Sequence, residues 1–216
     1  GIQYHGDKGD IAGFEIVYGC SKGGCLKMRD LYHGTVYDID EIDVTKGKGY
    51  KDFGKGFYAT SIRSHADNIA RRNKRILEEK EARMQKKGSK YRAKVYQAYR
   101  YNLEFDDSCI DNPEGLNVKV FIKADREWVR FILMNRGSDN SAHDFDIVIG
   151  PTADENTVTV INSYKDELEE TDYADEVLDA LIKELEPENL PKQYFFGTRQ
   201  ALSKLHFKNV RREIVG

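Results

Sequence analysis

The sequence predicts an α+β fold. Short apolar strands lie scattered among helices of unequal length, no strand–helix–strand rhythm recurs as a doubly wound sheet requires, and no internal repeat is present. At 216 residues, with 39% hydrophobic and 11% aromatic content, the chain suffices for one well-filled domain. Residues 1–27 hold seven glycines and no periodic apolar pattern. They are read as an extension, with a single domain spanning 28–216.

Leu31–His33 reads as a strand, Ile39–Val44 as a short extended or turn segment, and Thr45–Lys51 as a loop. Ser61 or Ser64 caps a helix carrying Ile62, Ala66, Ile69, Ile76 and Leu77 at helical spacing to about Met84. Val95, Tyr99, Tyr101, Leu103 and Phe105 alternate along one strand. Asn112–Gly115 is a turn, and Val118–Phe121 is a strand or a short helix. Asp125 caps a helix that buries Trp128, Phe131 and Ile132 and stops at Gly137. Phe145–Ile149 is a continuous apolar strand ended by Gly150-Pro151, and Thr157–Ile161 is a further strand. Tyr173–Leu185 is an amphipathic helix, and Tyr194–Phe196 a strand. Thr198 caps a last helix through Leu205, and Phe207–Val210 forms a terminal strand.

The 33% charged fraction indicates a solvated surface. No run approaches the roughly 18 apolar residues of a membrane helix, and the start lacks a signal-peptide pattern, so a cytoplasmic chain with no membrane partner is expected. Cys20, Cys25 and Cys109 lack zinc-type spacing and read as reduced thiols, with no metal expected. The net charge of −3 conceals an asymmetry: residues 71–100 hold 12 Lys/Arg against three Glu, and residues 144–190 hold 15 Asp/Glu against two Lys. An Arg-rich stretch can track phosphates. A solvated helix face followed by a loop is the simpler reading, and the acidic stretch opposes non-specific nucleic-acid binding by the whole surface.

Two phrases carry the chemistry: Leu31-Tyr32-His33-Gly34-Thr35, and Asp52-Phe53-Gly54-Lys55-Gly56-Phe57-Tyr58-Ala59-Thr60. Glycines let a ligand approach the backbone and present N–H groups without a side chain in the way. In this order the phrases resemble the nicotinamide-binding half of the ADP-ribosyltransferase superfamily, most closely the poly(ADP-ribose) polymerase type. The resemblance implies a split β-sheet core with flanking helices, and NAD as substrate. It also implies His33 on the adenosine ribose hydroxyls, the backbone of Gly34 on the nicotinamide amide, and the Thr35 hydroxyl close by. The turn at Gly56 and Phe57 completes the cofactor site, with Tyr58 stacked on the nicotinamide ring. Each of these residues also has a plain reading as a turn or packed side chain, a core ring in the case of Tyr58.

Lys192-Gln193-Tyr194 with Leu205-His206-Phe207 resembles the third motif of the superfamily, and Gln193 takes the place of its catalytic glutamate. A neutral amide hydrogen-bonds but is no base near pH 7. A second aromatic expected on the helix after Tyr58 is absent, since Asn68 and Ile69 occupy that neighbourhood. Glu127 is a candidate replacement carboxylate, although a Glu at a helix N-terminus is ordinarily a dipole partner.

From about residue 29 to 209 the chain also resembles a bacterial domain-of-unknown-function family, regarded as ADP-ribosyltransferase-like, through the same phrases with Glu127-Trp128, Asn135-Arg136 and Phe145–Asp154. Arg136, Asp146 and Asp154 beside apolar stretches suggest structural pairing or substrate binding. The resemblance implies a mono-ADP-ribosyltransferase of His-Tyr-Gln type acting on a protein or nucleic-acid acceptor. A bacterial toxin or effector paired with a small helical antitoxin or immunity protein fits that pattern. An inactive NAD- or ADP-ribose-binding or partner-docking module is the alternative. On this reading Gln193 points into a cleft holding His33 and Tyr58. Gln193→Glu is then expected to alter NAD turnover at little expense of stability, because a cleft hydrates the new charge.

Overall fold

The computed structural model describes residues 16–17, 27–88, 92–111, 113–185 and 190–216. The strands are β1 (Ile16–Val17), β2 (Lys27–Thr35), β3 (Phe57–Thr60), β4 (Tyr99–Asp106), β5 (Val118–Val120), β6 (Ile147–Pro151), β7 (Lys192–Phe196) and β8 (Leu205–Ile214). The helices are α1 (Arg63–Lys87), α2 (Ser108–Asp111), α3 (Arg126–Arg136), α4 (Glu155–Ser163), α5 (Lys165–Glu170), α6 (Asp175–Glu184) and α7 (Arg199–Leu202). One sheet runs β5-β6-β7-β3-β2-β4-β8, with β1 added on β2. Only β5 and β6 pair in parallel among the described strands. The fold mixes α and β, as the sequence predicts.

Strand alternation places a core on each face of the sheet. On one face Val148 and Phe195 meet Trp128 and Ile132 of α3 and Leu178 and Leu181 of α6. On the other, Ile147, Tyr194 and Phe196 meet Leu31, Leu103 and Phe105, closed by Cys109 of α2 and Ala201 of α7. Asp125 caps α3 by accepting the Trp128 N–H at 3.0 Å, and Trp128 spans the core to donate Nε1–H to the Pro151 carbonyl at 3.1 Å. Helix α1 lies over β2 and β4, with Ala66 and Ala70 on its buried side.

Several sequence expectations change. Thr157–Ile161 is not a strand but the middle of α4: Asp154 accepts the Thr157 N–H at 2.8 Å, and the buried Thr157 and Ile161 are four apart, one helical face. The run Thr-Val-Thr-Val-Ile has β propensity, but the cap and the burial of that face override it. Neither Ser61 nor Ser64 caps α1; Ile62 holds that position without a side-chain bond, and the helix extends to Lys87. Val95 is 92% exposed, since β4 begins at Tyr99. Val118–Val120 resolves as a strand, α7 is shorter and β8 longer than the sequence predicts, and α5 is an additional helix. Ile16–Val17 joins the sheet through Met28 and Lys27, so the extension is not wholly outside the domain. Its remainder, with Cys20 and Cys25, lies outside the described residues. No described helix is long and apolar enough to cross a membrane.

Candidate functional site

The site forms where the sheet parts. Among the described residues β2 and β3 pair at one position, Tyr32 opposite Thr60. Continuing that register would set Gly34 against Tyr58. The imidazole of His33 takes the Tyr58 carbonyl instead, at 2.6 Å from Nδ1. A carbonyl only accepts, so Nδ1 carries the proton and Nε2 of the neutral ring is left as an acceptor. Burial pulls the His33 pKa below the ordinary imidazole value, with the bond to Tyr58 pulling the other way. The ring also rests 4.5 Å from that of Phe57.

A cleft of about 2140 Å³ opens at this seam, bordered by α1 and α4 and by the segment from Tyr37 to Asp52. It brings together His33, Gly34, Thr35, Gly56, Phe57, Tyr58 and Gln193, all drawn from the two phrases and the third motif. The strand pleat sets Tyr58 and Gln193 on one face and His33 on the other. They share the cleft because the seam is open between them.

The glycines have packing duties. A Cβ on Gly34 would lie 1.8 Å from the Ala66 carbonyl oxygen, so this glycine lets α1 settle on the sheet. A Cβ on Gly56 would lie 2.4 Å from the Phe195 ring. Tyr58 fastens the turn between them: its hydroxyl donates to the Gly54 carbonyl at 2.7 Å and accepts the Phe53 N–H at 3.1 Å. Its ring stands edge-on to Phe195 at 5.3 Å. Burial, reinforced by the Asp52 charge, holds the phenol well above its ordinary pKa. Thr35 is buried, and its hydroxyl accepts the Tyr37 N–H at 3.2 Å.

The floor of the cleft is a charged network. Asp52, 6% exposed, accepts on Oδ1 from Arg136 Nε at 2.8 Å and is ion-paired with Nη2 of the same guanidinium at 2.6 Å. On Oδ2 it accepts the Ala153 N–H at 3.0 Å and the Gln193 amide at 2.8 Å. The same Gln193 Nε2 approaches the Pro151 carbonyl at 3.4 Å. Two acceptors on one amide atom assign it as the nitrogen. Gln193 is thus fixed by a neighbouring carboxylate. A second imidazole, the half-buried His143, accepts the Phe145 N–H at Nδ1 and reaches the Phe53 carbonyl through Nε2, anchoring the same turn from below.

Residues 29–207 match the model of the family of proteins of unknown function DUF3990. The chain belongs to this family. No curated protein and no solved structure matches it. The DUF3990 span covers both phrases, the whole Asp52 network and the third motif.

Glu127 is not part of the cleft. It sits in the first turn of α3, largely exposed, and pairs with Lys119 of β5. A glutamate there interacts favourably with the helix dipole. Asp154 caps α4 at the border of the cleft, and Asp146 accepts the Asn117 N–H at 2.8 Å and the Thr198 hydroxyl. Sequence reasoning missed Asp52, although it heads the second phrase. A carboxylate beside an apolar Gly-rich turn, with Arg136 on a helix of the same chain, was the available signal. Nothing in the spacing told which cation it meets. No group of three or more His, Cys, Asp or Glu suited to a metal is found among the described residues.

Proposed function

We propose that this protein transfers ADP-ribose from NAD to an acceptor, as a mono-ADP-ribosyltransferase of His-Tyr-Gln type. The observation that carries the reading is the parting of β2 from β3 at Gly34 and Tyr58, the two residues that the family resemblance assigns to nicotinamide. Past Tyr32 the edge of β2 has no β3 partner among the described residues, and Gly34 lines the cleft where an amide would meet that edge. His33 Nε2 is an acceptor for a ribose hydroxyl. The bond broken joins nicotinamide to its ribose, the bond formed joins that ribose carbon to the acceptor, and the acceptor's proton leaves to solvent. Asp52 receives three donated hydrogen bonds and is ion-paired with Arg136, so it organises the floor rather than taking that proton. Chain growth is not expected, because in the resembling enzymes it leans on the glutamate that Gln193 replaces.

The test is nicotinamide release and transfer of labelled ADP-ribose across a panel of proteins and nucleic acids, with His33→Ala beside wild type. Equal background from both proteins would sink the proposal. A second reading, a module that holds NAD or ADP-ribose without turnover, is favoured by one observation: the Gln193 amide is already engaged by Asp52. Calorimetric NAD binding with no nicotinamide released over hours selects it.

A further inference from the structure

The cleft is larger than one dinucleotide needs. Small-molecule sites span roughly 300–1,000 Å³, against about 2140 Å³ here. What lines the cleft is mixed in charge: Asp38, Asp40, Glu41 and Asp43 follow Tyr37, while Lys48 and Lys51 flank Tyr50 and Arg71, Arg72 and Arg75 lie on α1. Two tyrosines stand at its mouth with their rings in solvent, Tyr37 at 58% and Tyr50 at 60% exposure.

Tyr50 is no loose loop residue. Its φ is +57°, in the left-handed region that a bulky side chain rarely adopts, and its N–H donates to the Ser138 carbonyl at 2.8 Å. The chain on its N-terminal side is pinned. A Cβ on Gly47 would lie 2.5 Å from the Gly56 carbonyl oxygen, and one on Gly49 2.0 Å from that of Asp139. Strain of this kind persists only where the surroundings over-determine it. Here it leaves an aromatic ring displayed between Lys48 and Lys51.

The cations continue from there. Arg72 of α1 and Arg136 line the same cleft as Lys48 and Lys51. Burial lowers the Lys51 pKa, Asp52 draws it back up, and Arg136, Lys48 and Arg72 lower it further, so these charges sense one another. On α1 the stripe that borders the cleft, His65, Asn68, Ile69 and Arg72, runs on at helical spacing through Ile76 and Arg83 to Lys86 and Lys87. Arg72, Arg83, Lys86 and Lys87 are exposed, with Glu79 the acidic residue among them. From Arg72 to Lys87 the stripe is about 22 Å long at 1.5 Å per residue. The opposite face of the helix is occupied: the buried Glu81 accepts the Lys94 N–H and the Tyr96 hydroxyl, both at 3.0 Å.

We propose that this surface docks a single-stranded nucleic acid, its bases stacked on Tyr50 and Tyr37 and its phosphates following the basic stripe of α1. As the acceptor of the transfer, this strand rests on the function proposed above; as a ligand, it does not. A cationic track beside exposed aromatic faces is how sequence-tolerant single-strand binders are built, the rings taking the bases and the cations the backbone. A duplex hides its base faces and cannot use the tyrosines. The acidic α5–α6 region, which does not line the cleft, repels the strand there.

The experiment is fluorescence anisotropy of a labelled mixed-sequence 12-mer RNA, its DNA equivalent and the matching duplexes, without NAD, between 50 and 200 mM salt. The single strand is expected to bind more tightly than the duplex, with affinity falling as salt rises. Tyr50→Gly relieves the positive φ, so folding is not at risk, and it is expected to weaken single-strand binding by about 10-fold or more. The exposed variant R83E/K86E/K87E is expected to weaken it comparably and to flatten the salt slope by about 2, roughly 0.7 for each phosphate no longer neutralised. No binding at 50 mM salt, a duplex bound as tightly as the single strand, or affinity that neither variant weakens overturns the proposal. A strand that binds as expected but receives no label from NAD defeats its role as acceptor and leaves the docking surface standing.

Discussion

Replacing Gln193 by glutamate puts a second carboxylate against the first. Gln193 is 9% exposed, so solvent cannot hydrate the new charge as the sequence alone would suggest. The amide now gives hydrogen bonds to Asp52 Oδ2 at 2.8 Å and toward the Pro151 carbonyl at 3.4 Å; an ionised carboxylate gives neither. A hydrogen bond to a charged group contributes about 1.5–3 kcal/mol. Like charges at ~4 Å repel by about 4 kcal/mol at an effective dielectric of 20, which Arg136 offsets in part. The introduced side chain can instead keep its proton and donate to Asp52. Holding it protonated at pH 7 from an unfolded pKa of about 4.3 costs about 3.7 kcal/mol, which caps the penalty. A loss of about 2–4 kcal/mol at neutral pH follows, a fall in Tm of roughly 5–15 °C for a chain of this size. Asp52 raises the folded-state pKa of the introduced carboxyl above its unfolded value. The deficit is therefore smallest below about pH 4.3 and grows as pH rises through the folded pKa. Thermal unfolding of both proteins at pH 4.5 and 7.5 measures this directly. The double variant D52N/Q193E, which exchanges acid and amide, should recover part of the loss. A variant as stable as wild type at pH 7.5, or a deficit independent of pH, refutes the reasoning.

Three further outcomes are expected. Gly34→Ala drives a methyl into the Ala66 carbonyl at 1.8 Å and should lower stability by about 3 kcal/mol, read as a lower urea midpoint. His33, with its pKa lowered by burial, should titrate below about 6.5 by NMR. Because the unfolded imidazole binds the proton more readily, His33 should cause stability to fall as pH drops below that value, and His33→Ala should remove this component. The buried Cys109 thiol, pushed up to about 11 by burial, should resist alkylation at pH 8 until the protein is unfolded, as mass spectrometry of that peptide would show.

Most of the secondary structure and the membership of the cleft are legible in the chain alone. His33-Gly34-Thr35 and Gly56-Phe57-Tyr58 are contiguous phrases whose residue types are dictated locally, by strand alternation and by a Gly-rich turn, so they can be read before any fold is known. The caps at Asp125 and Thr198 are local too. The Thr157–Ile161 run misleads, because β-branched propensity is weak against a capped helix with a face to bury. The long-range pairings belong to the folded molecule. Asp52 meets Arg136 and Gln193 from 84 and 141 positions away, which no periodicity encodes. Those contacts turn Gln193 from a missing base into one end of a buried network, and they leave Glu127 outside the cleft with Lys119. The basic stripe is visible as composition. Its direction is not, because only the packing of Ala66 and Ala70 against Gly34 and its neighbours sets which face of α1 borders the cleft.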